Sequence, residues 1–168
     1  LLGVAPLARA QTTEYVYAAR NKLVEVRQGE LILVRFHWDA EGRLIRKIGR
    51  QGIRDYAYDG RRVLAEYDEK GNRVAKYNWA GDRVISVERA SEGTRYFQYD
   101  GLGSVVTLTG EPGNVVARYL WDAWGNLRNQ DALNASQNRI GYTGLRFDEE
   151  VGFHHAQTRH LDSVTGRF

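Results

Sequence analysis

Pairs of aromatic residues separated by one position punctuate the chain at even intervals. They are Tyr15/Tyr17, Phe36/Trp38, Tyr56/Tyr58, Tyr77/Trp79, Phe97/Tyr99 and Tyr119/Trp121, with Tyr142 beyond them. The second members advance in steps of 21, 20, 21, 20, 22 and 21 residues. Residues at i and i+2 leave the same face of a strand, so each pair predicts a strand with an aromatic side. Turn signals follow most pairs: Asp39-Ala40-Glu41-Gly42, Asp59-Gly60-Arg61, Ala80-Gly81-Asp82, Asp100-Gly101-Leu102-Gly103 and Asp122-Ala123-Trp124-Gly125. Asp bonds its own backbone two residues on, and Gly accepts the positive φ that closes a hairpin. A second β-rich run then occupies residues 23–26, 44–48, 63–67, 84–87 and 105–108, and another turn ends each run. Two turns in about 21 residues predict strands of about six residues joined as a meander. A helical repeat does not fit, because i, i+2 pairs oppose a 3.6-residue stripe and the turns would break each helix.

The pattern predicts an all-β fold: a continuous antiparallel meander forming a curled sheet or partial shell. Its expected structural ladder is Tyr17, Trp38, Tyr58, Trp79, Tyr99, Trp121 and Tyr142, in which Tyr and Trp alternate. The distance from Gly to the next first aromatic is seven for Gly29/Phe36, then four, six, four and six. Even spacings keep the face constant, and the odd one requires a bulge or shifted turn before Phe36. The alternation also raises a double repeat of about 41 residues and, as the alternative architecture, a small four-unit propeller. A single hairpin cannot bury its aromatic face alone, so stability must come from neighbours.

Composition narrows the function. The 18 Gly, 10 Tyr, 4 Trp and 5 Phe suit tightly turned sheets, and the absence of Cys removes disulfides and thiolate metal sites. Net charge is +3, with Lys and Arg scattered among Asp and Glu; this reads as a mixed solvated surface, so no nucleic-acid partner is expected. No stretch approaches the ~20 apolar residues of a membrane span. The chain contains no Met, which reads as a processed product or a piece of a longer reading frame. Residues 1–10 form a short apolar run ending Ala8-Arg9-Ala10, read as a signal-peptide remnant or an upstream strand. The expected division is residues 1–10, a repeat sheet over 11–130 and a distinct C-terminal motif over 131–168.

The unit Phe36-His37-Trp38-Asp39-Ala40-Glu41-Gly42-Arg43-Leu44 resembles a YD repeat with Trp in place of Tyr, and Tyr56-Ala57-Tyr58-Asp59 and residues 119–127 are similar. Residues 99–106 and 113–119 resemble the lead into the Rhs-associated core, as does Tyr142-Thr143-Gly144 through Arg159, Asp162, Gly166, Arg167 and Phe168. The chain therefore resembles the Rhs/YD-repeat shell family from Tyr15 onward. The resemblance implies a structural segment of a hollow β-shell enclosing or presenting a C-terminal toxin or other cargo, secreted or at the cell surface. It also implies partners in the remainder of a larger shell or a toxin domain. Where the family's core run is rich in tyrosine, this chain carries His154, His155, His160 and Leu161, and Ser163 stands where a Pro is expected after Asp162. Arg159 matches an arginine that supports the family's aspartyl autoprotease, whose aspartates would lie beyond Phe168. No enzyme activity, catalytic residue or cofactor is therefore expected.

Other chemistry is weak. His154 and His155 leave opposite faces of a strand and cannot share one ion without a bulge, so no metal site is expected. Asp148-Glu149-Glu150 reads as a solvated turn, Ser104 lacks an elbow pattern and a paired His, and Gly101-Leu102-Gly103 is a hairpin turn with no helix after it. Asn134-Ala135-Ser136 fits a glycosylation acceptor. The alternative to a shell segment is a secreted or cell-surface binding module for a glycan or protein partner, with Trp124 as the candidate contact.

Overall fold

The aromatic spacing translates directly into strands. In the computed structural model, which describes residues 12–129, 137–156 and 159–167, eleven strands follow one another in chain order. They are β1 (Thr13–Ala18), β2 (Lys22–Gln28), β3 (Leu31–Trp38), β4 (Leu44–Gly49), β5 (Gly52–Asp59) and β6 (Arg62–Tyr67). β7 (Arg73–Ala80), β8 (Arg83–Arg89), β9 (Gly93–Tyr99), β10 (Val105–Thr109) and β11 (Val115–Arg118) complete the series. Each is antiparallel to its predecessor, and all belong to one open sheet running β1 to β11. This is the predicted meander, and a single unbroken sheet leaves no separate blades for the propeller alternative. A second, three-stranded sheet contains β12 (Arg146–Asp148), β13 (Phe153–Ala156) and β14 (Arg159–Asp162). The boundary expected near residue 130 and the acceptor at Asn134 lie outside the described residues, as do residues 1–10.

The register slips at the same place opposite the second aromatic of each of the first five pairs. Trp38 pairs with Leu44 while His37 pairs with Arg46, so Ile45 is an extra residue in the second strand. Val24, Leu64, Ile85 and Val106 are extra in the same way opposite Tyr17, Tyr58, Trp79 and Tyr99. Further extra residues fall before first aromatics: Leu33 before Phe36, as its odd spacing required, but also Val74 before Tyr77 and Val116 before Tyr119, where an even spacing of six had predicted none. A bulge bends its strand and increases local twist, so bulges repeated along the sheet accumulate into curl.

The curl has a measurable consequence. A flat sheet would hold β1 and β11 about 48 Å apart, ten steps of ~4.8 Å. Yet adjacent residues of β13 reach both ends: the Phe153 ring lies 5.1 Å from Tyr15 of β1, and the His154 ring 5.9 Å from Trp121, just past β11. The large sheet therefore wraps around the small one.

Two apolar clusters fill the inside. One gathers Leu23, Val26, Leu33, Val34, Phe36 and Leu44, and the other joins Ala75, Tyr77, Val84, Val87, Phe97, Val105, Leu108, Ala117, Tyr119 and Ile140. Phe36, Tyr77, Phe97 and Tyr119 are buried, so from the second pair onward most first members carry the core. Tyr15 and Tyr17, on the edge strand, are 40% and 48% exposed.

Candidate functional site

The second member of each pair sits where two hairpins part. The β2–β3 ladder runs from Gln28↔Leu31 to Glu25↔Arg35, leaving Leu23 and Trp38 beyond its end. There the Trp38 Nε1–H donates to the Leu23 carbonyl at 2.8 Å. The same bond recurs along the sheet: Tyr58 Oη–H to Leu44 O at 2.8 Å, Trp79 Nε1–H to Val63 O at 2.9 Å, Tyr99 Oη–H to Val84 O at 2.6 Å, and Trp121 Nε1–H to Val105 O at 2.7 Å. Tyr142 closes the series with a bond to Ala123 O at 2.7 Å. Each aromatic thus reaches back 14 to 19 residues and caps a carbonyl of the preceding repeat. The Tyr/Trp alternation changes ring size but not this chemistry, because both side chains carry one donor at the far end of a flat ring. Periodicity alone gave these positions; Trp38, Tyr58, Trp79 and Tyr99 each stand opposite a bulge, and no residue pattern announces the hydrogen bonds. At the last of these contacts two glycines permit close approach. A Cβ on Gly141 would meet Trp121 Cη2 at 2.7 Å, and one on Gly125 would meet Tyr142 Cδ1 at 2.6 Å.

The small sheet uses its two faces differently. Arg146 pairs with His155 and Asp148 with Phe153, so these four share a face, and Phe147 pairs with His154 on the other. The first face meets the early hairpins. His155 lies 5.2 Å from the Trp38 ring, His160 lies 6.0 Å from Phe36, and Lys47 Nζ reaches Asp148 Oδ1 at 2.7 Å. The second face meets the late segment, where fully buried His154 packs against Trp121, Tyr142 and Phe147 and its Nε2 lies 3.0 Å from Gly125 O. His154 and His155 thus face different partners, as their adjacency on a strand required, and the described residues contain no cluster suited to a metal ion.

One polar pin crosses the seam. Glu66 on β6, the strand lying between the two apolar clusters, is 4% exposed. Its Oε1 accepts from Arg146 Nη2 at 2.6 Å and from the Tyr77 hydroxyl. Arg146 also lies over the Tyr56 ring, 4.8 Å from its centre. Burial alone would raise the Glu66 pKa, but the charges of Arg146 and Arg89 and the Tyr77 hydrogen bond overturn that and hold it near about 2. Arg146 is pushed up in turn: desolvation opposes its charge, and Glu66 more than restores it. The surrounding phenols respond to the same burial, with Tyr56 and Tyr77 raised and Tyr58 pushed up to about 12.

The histidines give the seam a pH dependence of definite sign. Burial depresses His160 from 6.5 to about 4, with Asp148 opposing and Lys22 assisting, and burial also lowers His154 against the Gly125 carbonyl. Between those values the unfolded chain binds protons that the native rings refuse, so stability falls as pH drops from 6.5 towards 4. For the partly exposed His160 the loss should be on the order of 2 kcal/mol. Denaturant unfolding at pH 7.5, 5.5 and 4 should show it, and His160→Phe should flatten the slope across that window.

Among the described core-motif residues, Asp162, Gly166 and Arg167 belong to a tight turn after β14. Asp162 Oδ1 accepts from the Val164 backbone N–H at 2.9 Å, Oδ2 accepts from Thr165 Oγ1 at 2.7 Å, and Arg167 bridges back to Asp162. Gly166 takes φ +68°, with the Trp124 ring against it. This repeats the turn chemistry of Asp39, Asp68, Asp100 and Asp122, whose Oδ1 atoms accept from backbone N–H groups inside their own turns. Arg159 is exposed on β14, Trp124 is 63% exposed, and Phe168 lies outside the described residues.

Comparison with known proteins agrees with this architecture. Residues 6–168 match the teneurin YD-shell family. Over 67 residues, 39% of this chain, the sequence is 33% identical to the tRNA nuclease WapA of Bacillus subtilis (strain 168) and 34% identical to the tRNA(Glu)-specific nuclease WapA of Bacillus subtilis subsp. natto (strain BEST195). The match covers 3% of each relative. The TcdB2-TccC3 crystal structure superposes with a TM-score of 0.66 at 17% identity, over 92% of this chain and 9% of that one. The Tc holotoxin pore of Photorhabdus luminescens gives 0.64 at 17% identity, over 90% and 8%. At this identity the likeness is one of fold, and the chain spans under a tenth of either structure.

Proposed function

Because the chain belongs to the teneurin YD-shell family, we propose that it serves as wall and closing element of a larger shell that encloses or presents a cargo such as a toxin domain. The observation that carries this reading is the small sheet held on both faces by one curled sheet, with Phe153 against Tyr15 and His154 against Trp121. A wall segment that must close at one end needs an internal piece tying its two ends together, and β12–β14 do so. The edge strand β1 supports the same reading. Tyr17 is 48% exposed, and a hairpin set before β1 would offer its ring the carbonyl that Leu23 offers Trp38. The reading is structural, and the described residues Asp162, Gly166 and Arg167 serve it as parts of a turn. The nuclease activity in the relatives' names is not carried over, since the match covers 3% of their length. Under this reading the protein acts outside the cell or at its surface.

Electron microscopy of the chain within its natural reading frame tests this directly. A closed, hollow particle with residues 137–167 folded inside one end is expected. Repeats extended without an internal volume would overturn the reading, as would time-dependent self-cleavage of the purified chain.

A further inference from the structure

Beside the Glu66–Arg146 pin lies a cavity of about 360 Å³. Its lining includes six cations, Lys47, Arg54, Arg73, Arg89, Arg139 and Arg146, and two carboxylates, Glu66 and Glu150. Ion pairs recruit two further acids. Lys47 meets Asp148 at 2.7 Å and Glu150 at 2.6 Å, and Arg139 meets Glu149 at 2.7 Å. Glu66 must answer for both Arg146, at 2.6 Å, and Arg54, at 3.8 Å. Six cations therefore face four carboxylates, an excess of two positive charges around one partly enclosed space.

Two of the lining arginines each keep a buried nitrogen without a hydrogen-bond acceptor, Arg89 Nε and Arg146 Nη1. Arg89 is 8% exposed, and its Nη2 is already committed to Tyr77 Oη at 3.3 Å and Gln137 O at 3.1 Å. Buried donors of charged groups almost always have partners, because an unmet one forfeits its hydration without return. Uncompensated buried charge is costlier still. A guanidinium fork matches the spacing of two oxygens on one anion, so several converging arginines select a compact oxyanion over a halide. The volume lies in the range of small-ligand sites.

We propose that this cavity is a binding site for a small multivalent oxyanion of the phosphate or dicarboxylate class. The anion neutralises the excess charge and accepts from the guanidinium groups of the lining arginines. Since Arg54, Arg73 and Arg89 lie on the repeat sheet while Arg139 and Arg146 belong to the C-terminal part, occupancy also ties the small sheet to the wall. The proposal does not depend on the shell reading.

Thermal unfolding and calorimetry with the purified chain test it, using sodium phosphate and sodium malonate against sodium chloride at matched ionic strength. Saturable binding of phosphate or malonate, with a rise of several degrees in Tm that chloride does not reproduce, is expected. Arg73→Gln, at an exposed position, and Arg54→Gln should each weaken that binding about tenfold or more, as expected for loss of a charged hydrogen bond. Both variants should keep the unfolding cooperativity of the parent in chloride. Equal shifts in all three salts would overturn the proposal, as would undiminished phosphate and malonate binding in the Arg54→Gln/Arg73→Gln double variant.

Discussion

Replacing Glu66 with Gln is expected to cost the fold about 3–5 kcal/mol, the range for removing one partner of a buried ion pair. The amide keeps the shape, so no cavity term enters. What is lost is the negative charge that answers Arg146 at 2.6 Å, Arg54 at 3.8 Å and the nearby Arg89. Arg146 cannot escape by deprotonating, so the uncompensated cation stays in the seam. Denaturant unfolding at pH 7 measures the loss, and its pH profile identifies the cause. The Glu66 carboxyl has its native pKa near about 2 against 4.5 in the unfolded chain, so the stability it supplies is complete above 4.5 and drains away as pH falls towards 2. The Gln variant should lack that acid limb. A paired change, Glu66→Leu with Arg146→Met, should recover only part of the loss: it removes the stranded Arg146 cation, while Arg54, Arg89 and the Tyr77 hydroxyl remain without the carboxylate. If Glu66→Gln alone is within about 0.5 kcal/mol of the parent, the pin does not hold the seam.

Trp79→Ala should cost about 3–5 kcal/mol, while Lys70→Ala should stay within about 0.5 kcal/mol. The indole packs against the larger apolar cluster and its Nε1–H caps Val63 O at 2.9 Å. Lys70 lies exposed in a turn, where its backbone N–H, retained by Ala, makes the bond to Asp68 Oδ1 at 2.9 Å. An intermediate variant separates the two parts of the tryptophan effect. Trp79→Phe keeps an aromatic ring but leaves the Val63 carbonyl without that donor, and should cost about 1–2 kcal/mol. Chemical denaturation of the three variants side by side decides this. Equal effects from Trp79→Ala and Lys70→Ala would show that the aromatic ladder carries no stability.

Much of the fold was legible because its information is local. The i, i+2 aromatics fixed which face of each strand is apolar, and the Asp-x-x-Gly turns fixed where strands reverse. Spacing parity was a poorer guide: a bulge stands at Leu33 after the odd spacing, but also at Val74 and Val116 after even spacings of six. Less legible was the division of labour within each pair. Both rings look alike in sequence, yet Tyr119 is 1% exposed while Trp121 reaches the Val105 carbonyl at the end of a ladder. At the earlier pairs a bulge stands opposite the second ring, at an apolar residue such as Ile45 or Ile85 that resembles any other strand residue.

Sequence by itself determined the repeat, the strand order and the turn chemistry, because each depends on residues within about 21 positions of one another. Only the tertiary structure decided what the C-terminal motif does. Glu66 and Arg146 are eighty residues apart, and neither looks unusual among the charged residues that dot the strands. They meet because recurring bulges curl eleven strands around three. Curl is a sum of small local twists, and which distant side chains it brings together cannot be read from any one of them.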